Sequence, residues 1–137
     1  MNTNQIKDYK KKYINNVNLK NFVSYADKII NSYAINEYKN VNFVRSDNTS
    51  QVMTLFCISK FLKNENLTIE ALINIVPQSM ASRSHAINVV KKLCKKNILF
   101  KETHNEDKRS KLIYPSKSIL EEYSQFYLYK AKSLNVD

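Results

Sequence analysis

The sequence contains no glycine in its 137 residues and only two prolines. Glycine-rich phosphate loops and nucleotide folds with a glycine fingerprint need backbone conformations that only glycine tolerates. The absence of glycine therefore excludes both classes of nucleotide-binding protein. Turns in this chain must instead use Asn and Asp, which are the residues next most tolerant of positive φ.

Long apolar runs are also missing. No stretch reaches the roughly 18 apolar residues that a membrane-spanning helix needs. Residues 1–13 contain no apolar segment of the kind found in secretory signals. We therefore expect a cytoplasmic protein.

Cysteine is scarce as well. Cys57 and Cys94 lie within helical patterns and form neither a CxxC pair nor a paired framework, which suits a reducing compartment. We interpret both as small buried or half-buried apolar residues, and the alternative is a redox sensor.

Patterns typical of catalysis are lacking too. His85 and His104 are the only histidines, and neither stands at a convincing spacing from an acid and a nucleophile. No Cys/His/Asp cluster has the spacing of metal ligands. Glu121 and Glu122 are adjacent in a helix and point in different directions, so a general acid/base pair is not expected. We predict that the protein is not an enzyme and has no cofactor or metal.

Positive charge, in contrast, is abundant and concentrated. The formal net charge is +10, and from Arg83 to Lys117 ten Lys and Arg residues stand against three acids. This segment carries +7 in about a quarter of the chain. Such a concentration of positive charge indicates a polyanionic partner.

Helical patterns cover the first half of the chain. Residues 5–14 are a short basic helix, and residues 18–38 are predicted as one long helix because their apolar positions recur at steps of three and four. Residues 40–50 are predicted as a connection, and a further helix ends near Asn64. Thr68 caps a short helix that Pro77 terminates.

A basic amphipathic helix begins at Ser82, which suits the N-cap position. Asn97 follows its last basic turn, where helices commonly end in a left-handed residue. Residues 98–104 and 111–115 are strand candidates joined by a polar turn at 105–110. Ser118 and Glu121 are predicted to form a capping box that opens the last helix. The apolar side of the basic helix consists of Ala86, Val89, Val90 and Leu93.

Two motifs in this region carry a family resemblance. The basic helix ends in residues 93–99, LCKKNIL, and the polar turn leads into residues 107–113, DKRSKLI. Together they resemble the signature of the MarR family. In that signature a recognition helix ends in a basic turn, a glycine and two apolar residues, and a wing carries Asp-x-Arg. Asn97 replaces the glycine here. The resemblance covers residues 67–118 by motif and the remainder by the order of elements.

The resemblance implies a fold class that is mainly α with a small β-hairpin: a winged helix-turn-helix with N- and C-terminal helical dimerisation arms. It divides the chain into an N-terminal helical arm (1–48), a DNA-binding domain (49–115) and a C-terminal helix (116–137). It further implies a homodimer with the recognition helix in the major groove. Arg109, supported by Asp107, would enter the minor groove.

The chemistry of the individual residues also favours DNA. Short polar side chains at the start of a helix can reach base edges, Arg83 suits guanine or phosphate, and Asn88 suits adenine. Lysines of the last turns would lie along phosphates. The competing interpretation is an ordinary solvated face. The predicted contacts are Ser82, Arg83, Ser84, His85, Asn88, Lys92 and Lys95 in the recognition helix and Lys108, Arg109 and Lys111 in the wing.

Two apolar helical faces are too broad for one small winged helix to cover, so they predict a dimer interface. The tyrosines among them could instead line a cavity for a small-molecule effector, although core or interface is the more common role of such residues. The predicted interface consists of Leu19, Phe22, Val23, Ala26, Ile29, Ile30 and Tyr33 in the N-terminal arm and Leu120, Tyr123, Tyr127, Ala131 and Leu134 in the last helix.

The sequence thus predicts a sequence-specific, homodimeric transcriptional regulator whose partner is double-stranded DNA. The alternative is a winged-helix module that docks on transcription machinery or coats AT-rich DNA without a defined operator. A defined binding site in DNA separates the two hypotheses.

Overall fold

The structure is a computed structural model that describes residues 2–103 and 111–134. None of the described helices is both long enough and apolar enough to cross a bilayer. The helices are α1 (Thr3–Ile14), α2 (Phe22–Ser32), α3 (Lys39–Arg45), α4 (Asn48–Leu62), α5 (Ile69–Asn74), α6 (Arg83–Lys95) and α7 (Lys117–Leu134). Strands β1 (Leu99–Thr103) and β2 (Lys111–Pro115) lie between α6 and α7.

The region before α4 differs from its prediction. The single helix predicted over residues 18–38 is wrong, because short 3-10 turns at Val17–Leu19 and Asn36–Tyr38 flank the shorter helix α2. The connection predicted over residues 40–50 is also wrong, because α3 and the start of α4 occupy it. Val41 and Val44 of α3 are 0% exposed. Their burial, rather than the weak helix preference of the neighbouring Asn residues, accounts for this helix.

One hydrophobic core holds these elements together. Val41 and Val44 of α3 and Ile119 and Phe126 of α7 belong to the same buried cluster as the apolar side of α6. Both predicted arms therefore share one core with residues 49–115. The predicted apolar side of α6 is confirmed, since Ala86, Val89, Val90 and Leu93 are all buried.

The hairpin is antiparallel, with Leu99 opposite Pro115 and Thr103 opposite Lys111. The carbonyl of Leu67 accepts a hydrogen bond of 2.9 Å from the amide of Ile113. This bond ties the residues just before α5 to β2. Helices α5 and α6 pack together. With the hairpin as the wing, this arrangement is a winged helix-turn-helix that is mainly α, as predicted.

Local capping signals determine most helix ends. The Thr68 hydroxyl accepts from the amide of Ala71, and the Ser82 hydroxyl accepts from the amide of His85, each at 3.1 Å. Asn97 has φ of 59°, the left-handed conformation expected at this position. These three predictions are confirmed.

The predicted start of the last helix is wrong by two residues. Helix α7 begins at Lys117, and the hydroxyl of Ser116 accepts from the amide of Ile119 at 3.2 Å. Ser118 therefore lies in the first turn of the helix rather than at its N-cap.

We expect Ser116→Ala to lower the free energy of unfolding by about 1 kcal/mol, because it leaves a helix amide without its capping acceptor. Ser118→Ala is the matched control: it removes only the exposed contact of 3.1 Å between the hydroxyls of Ser116 and Ser118, and we expect it to have little effect because Ala is a better helix former than Ser. Urea unfolding of the two variants measures both values. A larger loss for the Ser118 variant would contradict the assignment.

Candidate nucleic-acid interface

Helix α6 is anchored by its buried apolar side and presents its opposite side to solvent. The helix has 13 residues, a length of about 20 Å at 1.5 Å per residue. A helix of this size fits the major groove of B-DNA. The exposed side chains on the polar side include Ser84, His85, Asn88, Lys91, Lys92 and Lys95.

One edge of this polar side contacts an acidic residue outside the helix. A carboxylate oxygen of Asp47 lies 3.9 Å from Nε2 of His85 and 3.7 Å from Nζ of Lys92. The ring of Phe43 lies beneath two lysines of the same edge, 5.2 Å from Nζ of Lys92 and 5.1 Å from Nζ of Lys96. Helix α3 and the junction that follows it therefore hold this edge of α6 through a carboxylate and an aromatic face.

Asp47 is itself held in place because it is the N-cap of α4. Its Oδ1 accepts from the amide of Thr49 at 3.0 Å, and its Oδ2 accepts from the hydroxyl of Ser50 at 3.1 Å. Asp47 was not among the residues predicted from the sequence, because residues 40–50 were predicted to be a connection. The signal that could have found it is an Asp followed by an apolar helical pattern, which is typical of an N-cap.

Arg83, at the first position of α6, also has protein partners. Its guanidinium donates to a carboxylate oxygen of Glu70 at 2.6 Å and to the amide oxygen of Asn74 at 3.0 Å. These contacts tie α5 to the start of α6. All three side chains are exposed, so the pair contributes little to stability and can exchange for a phosphate.

The other edge of α6 is open. Ser84, Asn88, Lys91 and Lys95 are exposed and make no side-chain hydrogen bond or ion pair with any other residue that the structure describes. This edge brings together a short hydroxyl, an amide that can pair with a base, and two lysines.

Of the remaining predicted DNA contacts, Ser82 and Lys111 lie within the described residues and the others do not. Ser82 caps α6, and Lys111 is exposed at the start of β2. Lys108, Arg109 and the supporting Asp107 lie outside the described residues.

The predicted dimer face of the N-terminal arm is largely exposed. Val23 and Ile30 are seven residues, about two turns, apart on α2, and they are 71% and 68% exposed. Leu19, Phe22 and Tyr33 are exposed as well. Ala26 and Ile29 are half-buried, and α2 packs against α7. Helix α1 adds to the exposed apolar surface, because none of its residues is buried.

The predicted face of the last helix is only partly exposed. Tyr127 is 72% exposed, while Leu120, Tyr123 and Ala131 are half-buried. The side chain of Leu134 lies outside the described residues. The residues of α7 that enter the core are Ile119 and Phe126, which the sequence analysis did not select.

A cavity of about 340 Å³ lies between α2, α4 and α7. The hydroxyl of Tyr123, one of its lining residues, is buried and has no hydrogen-bond partner among the described residues. Burial raises the pKa of Tyr123 to about 12, an effect that nearby Arg45 partly opposes. The phenol is therefore neutral near pH 7 and can donate a hydrogen bond. The cavity is lined by Tyr25, Gln51, Leu55, Tyr123, Phe126, Tyr127, Lys130 and Ala131.

The cysteines match their predicted structural role. Cys57 is buried in the core, and burial raises the pKa of its thiol to about 12. Cys94 is half-buried, and burial raises its pKa as well, with Lys101 acting in the opposite direction. Among the described residues, no group of three or more His, Cys, Asp and Glu side chains could hold a metal ion.

No protein-family model matches the sequence, and no curated protein shows significant similarity to it. Solved structures do match. The heme sensor protein PefR from Streptococcus agalactiae, solved in complex with heme, superimposes with a TM-score of 0.52 at 20% identity, over 81% of this chain and 69% of that chain.

Two further structures match at lower scores. A SlyA-like transcription regulator from Listeria monocytogenes gives a TM-score of 0.47 at 18% identity, over 84% of this chain and 70% of that chain. The MarR protein from Peptoclostridium difficile gives a TM-score of 0.46 at 19% identity, over 87% of this chain and 71% of that chain. The superposition on PefR shows the same fold, and the described helices and hairpin form a winged helix-turn-helix, as the sequence predicted.

Proposed function

We propose that this protein is a sequence-specific DNA-binding transcriptional regulator that acts as a homodimer in the cytoplasm. Helix α6 enters the major groove and the wing reaches the adjacent minor groove. The observation that carries the proposal is the open edge of α6, where Ser84 and Asn88 stand beside Lys91 and Lys95 on a winged helix-turn-helix. A polar edge with this composition can read bases and bind phosphates at the same time.

The roles of these side chains differ. The amide of Asn88 can pair with N6 and N7 of adenine, which gives sequence information. Lys91 and Lys95 lie further along the helix and would contact phosphates, which contributes affinity for any sequence. Lys111 is exposed at the start of β2, opposite Thr103 and far from the base of the wing, and it extends the basic surface toward the minor groove. Arg109 is the residue that the family resemblance assigns to that groove.

Selection of binding sites from random DNA tests the proposal against its alternative. A homodimeric regulator selects a pseudo-palindrome whose half-sites are about 10 base pairs apart, because two-fold symmetry places two recognition helices one DNA turn apart. A module that coats AT-rich DNA or docks on transcription machinery selects no such site.

We expect DNA affinity to fall steeply with salt concentration. Each neutralised phosphate contributes a slope of about −0.9 to log K against log salt, so about four to eight contacts per dimer give a slope between roughly −4 and −7. Fluorescence anisotropy with a duplex at several salt concentrations measures the slope. A slope near zero, or no binding to any duplex at low salt, would exclude the nucleic-acid function.

The cavity between α2, α4 and α7 supports a small-molecule effector as a further partner. Its lining is mostly aromatic and aliphatic, which is typical of ligand pockets. An apolar aromatic compound that raises the Tm of the protein, but not of a Leu55→Trp variant in which the cavity is filled, would support this site. Compounds that shift both proteins equally would count against it.

A further inference from the structure

Asp47 is an acidic residue placed against a helix that the proposed function assigns to DNA. We propose that Asp47 is a positioning residue that lowers the affinity of the protein for DNA of any sequence, by holding Lys92 and His85 away from phosphates. This inference rests on the proposed function. It divides α6 into a held edge, formed by His85, Lys92 and Lys96, and the open edge described above.

The geometry places one carboxylate against both His85 and Lys92 of α6. His85 and Lys92 are seven residues apart, which is two helical turns, so they lie on the same edge. The carboxylate of Asp47 faces both, at 3.9 Å and 3.7 Å. Phe43 holds the same lysine from a second direction, since Nζ of Lys92 lies 5.2 Å from the centre of its ring.

The carboxylate cannot turn away from α6 without disturbing α4. Both of its oxygens accept hydrogen bonds from the first turn of α4, where Asp47 is the N-cap. Its orientation toward the held edge is therefore a consequence of helix capping. Lys92 has a long and flexible side chain, but its two nearest partners belong to a fixed part of the fold.

A fixed carboxylate at this position opposes phosphate binding in either of two ways. If Lys92 remains on Asp47, it neutralises no phosphate and releases no counterion. If Lys92 moves to a phosphate, an unpaired carboxylate is left close to a polyanion. Both outcomes weaken binding to every DNA sequence, since neither involves a base edge.

The test is Asp47→Asn, which removes the charge and keeps the cap, because Asn is as good an N-cap as Asp. The probe is a 20-base-pair random-sequence duplex, studied at several salt concentrations. We expect the variant to bind about five-fold more tightly at 0.1 M salt and to show a slope steeper by about 0.9 for each bound subunit, as one additional phosphate contact predicts. Its Tm should equal that of the wild type.

The matched control is Glu65→Gln. Glu65 also forms an ion pair with a lysine, Lys60, at 2.6 Å, but the pair lies at the end of α4 rather than on α6. The control changes the net charge by the same amount. An equal gain in affinity for this variant would show a general charge effect and overturn the proposal.

Two variants at Lys92 complete the test. Lys92→Gln alone should leave the salt slope almost unchanged, because the wild-type lysine is held on Asp47 and neutralises no phosphate, and it should weaken binding modestly, because it leaves the Asp47 carboxylate unpaired near the DNA. The steeper salt slope of Asp47→Asn should disappear in the Lys92→Gln background, since no lysine is left there to reach the phosphate. A steeper salt slope that persists in the double variant, or a salt slope unchanged in Asp47→Asn, would overturn the positioning role alone. A wild-type protein that binds no duplex at all would overturn the proposed function and this inference together.

Discussion

Replacing Val23 and Ile30 together with Asp is expected to convert the proposed dimer to a monomer and to weaken operator binding by about 100-fold or more. Both side chains are largely exposed in the single chain and lie on one face of α2, seven residues apart. In a dimer that uses this face, the two new carboxylates of each subunit would be buried in an apolar contact. Burial of a charge is strongly unfavourable when no group of opposite charge or hydrogen-bond donor pairs with it. A monomer contacts only one half-site of the operator, so it loses the gain in affinity that comes from binding two linked half-sites at once.

Sedimentation equilibrium at micromolar concentration gives the oligomeric state, and anisotropy with the selected operator gives the affinity. The matched control is Leu62→Asp, at the end of α4, where an equally exposed leucine lies outside the α2 face. This control should remain dimeric and retain its affinity. A wild-type protein that is monomeric at micromolar concentration would exclude the dimer and the palindromic operator that depends on it.

Point variants are a better test than removal of the N-terminal arm. A chain that begins at Thr49 would lose Val41 and Val44, which are 0% exposed and belong to the common core. Loss of binding in such a chain would be the result of lost core packing as much as of a lost interface.

The second large effect is expected at the open edge of α6. Asn88→Ala should lose about 1 to 3 kcal/mol on the operator, roughly 5- to 160-fold in affinity, and little on random DNA, because it removes a contact to a base edge. Lys95→Ala should weaken binding to both DNAs similarly, because its phosphate contact carries no sequence information.

Anisotropy with the operator and with a random duplex of equal length measures both ratios. Lys132→Ala serves as the control for lost charge, since this exposed lysine lies in the last turn of α7. Equal losses on the two DNAs for Asn88→Ala would favour an architectural module over a sequence-specific regulator.

Several features could be predicted from the sequence because they depend on interactions between close neighbours in the chain. Thr68 and Ser82 cap helices three residues before the amides that they accept from, and Asn97 adopts its left-handed conformation where α6 ends. The buried side of α6 followed from its apolar spacing alone. Charge composition and two short motifs then indicated a winged helix and a polyanionic partner.

Helix α3 could not be predicted in this way. Its seven residues, KNVNFVR, are poor in strong helix formers, and a helix of this length has little stability in isolation. It forms because Val41 and Val44 fill the core and because Arg45 contacts the rings of Tyr33 and Phe126. These contacts join residues that are far apart in the chain, so no local sequence pattern predicts them.

The division of the polar side of α6 likewise depends on the tertiary structure. The sequence by itself determined that α6 is amphipathic, where it begins and ends, and that it carries much of the positive charge. Only the tertiary structure decided that Lys92 faces Asp47, that Arg83 faces Glu70, and that Asn88 and Lys95 face solvent. The reason is physical: amphipathicity and capping arise within one or two helical turns, whereas an ion pair between two helices depends on how the shared core orients them.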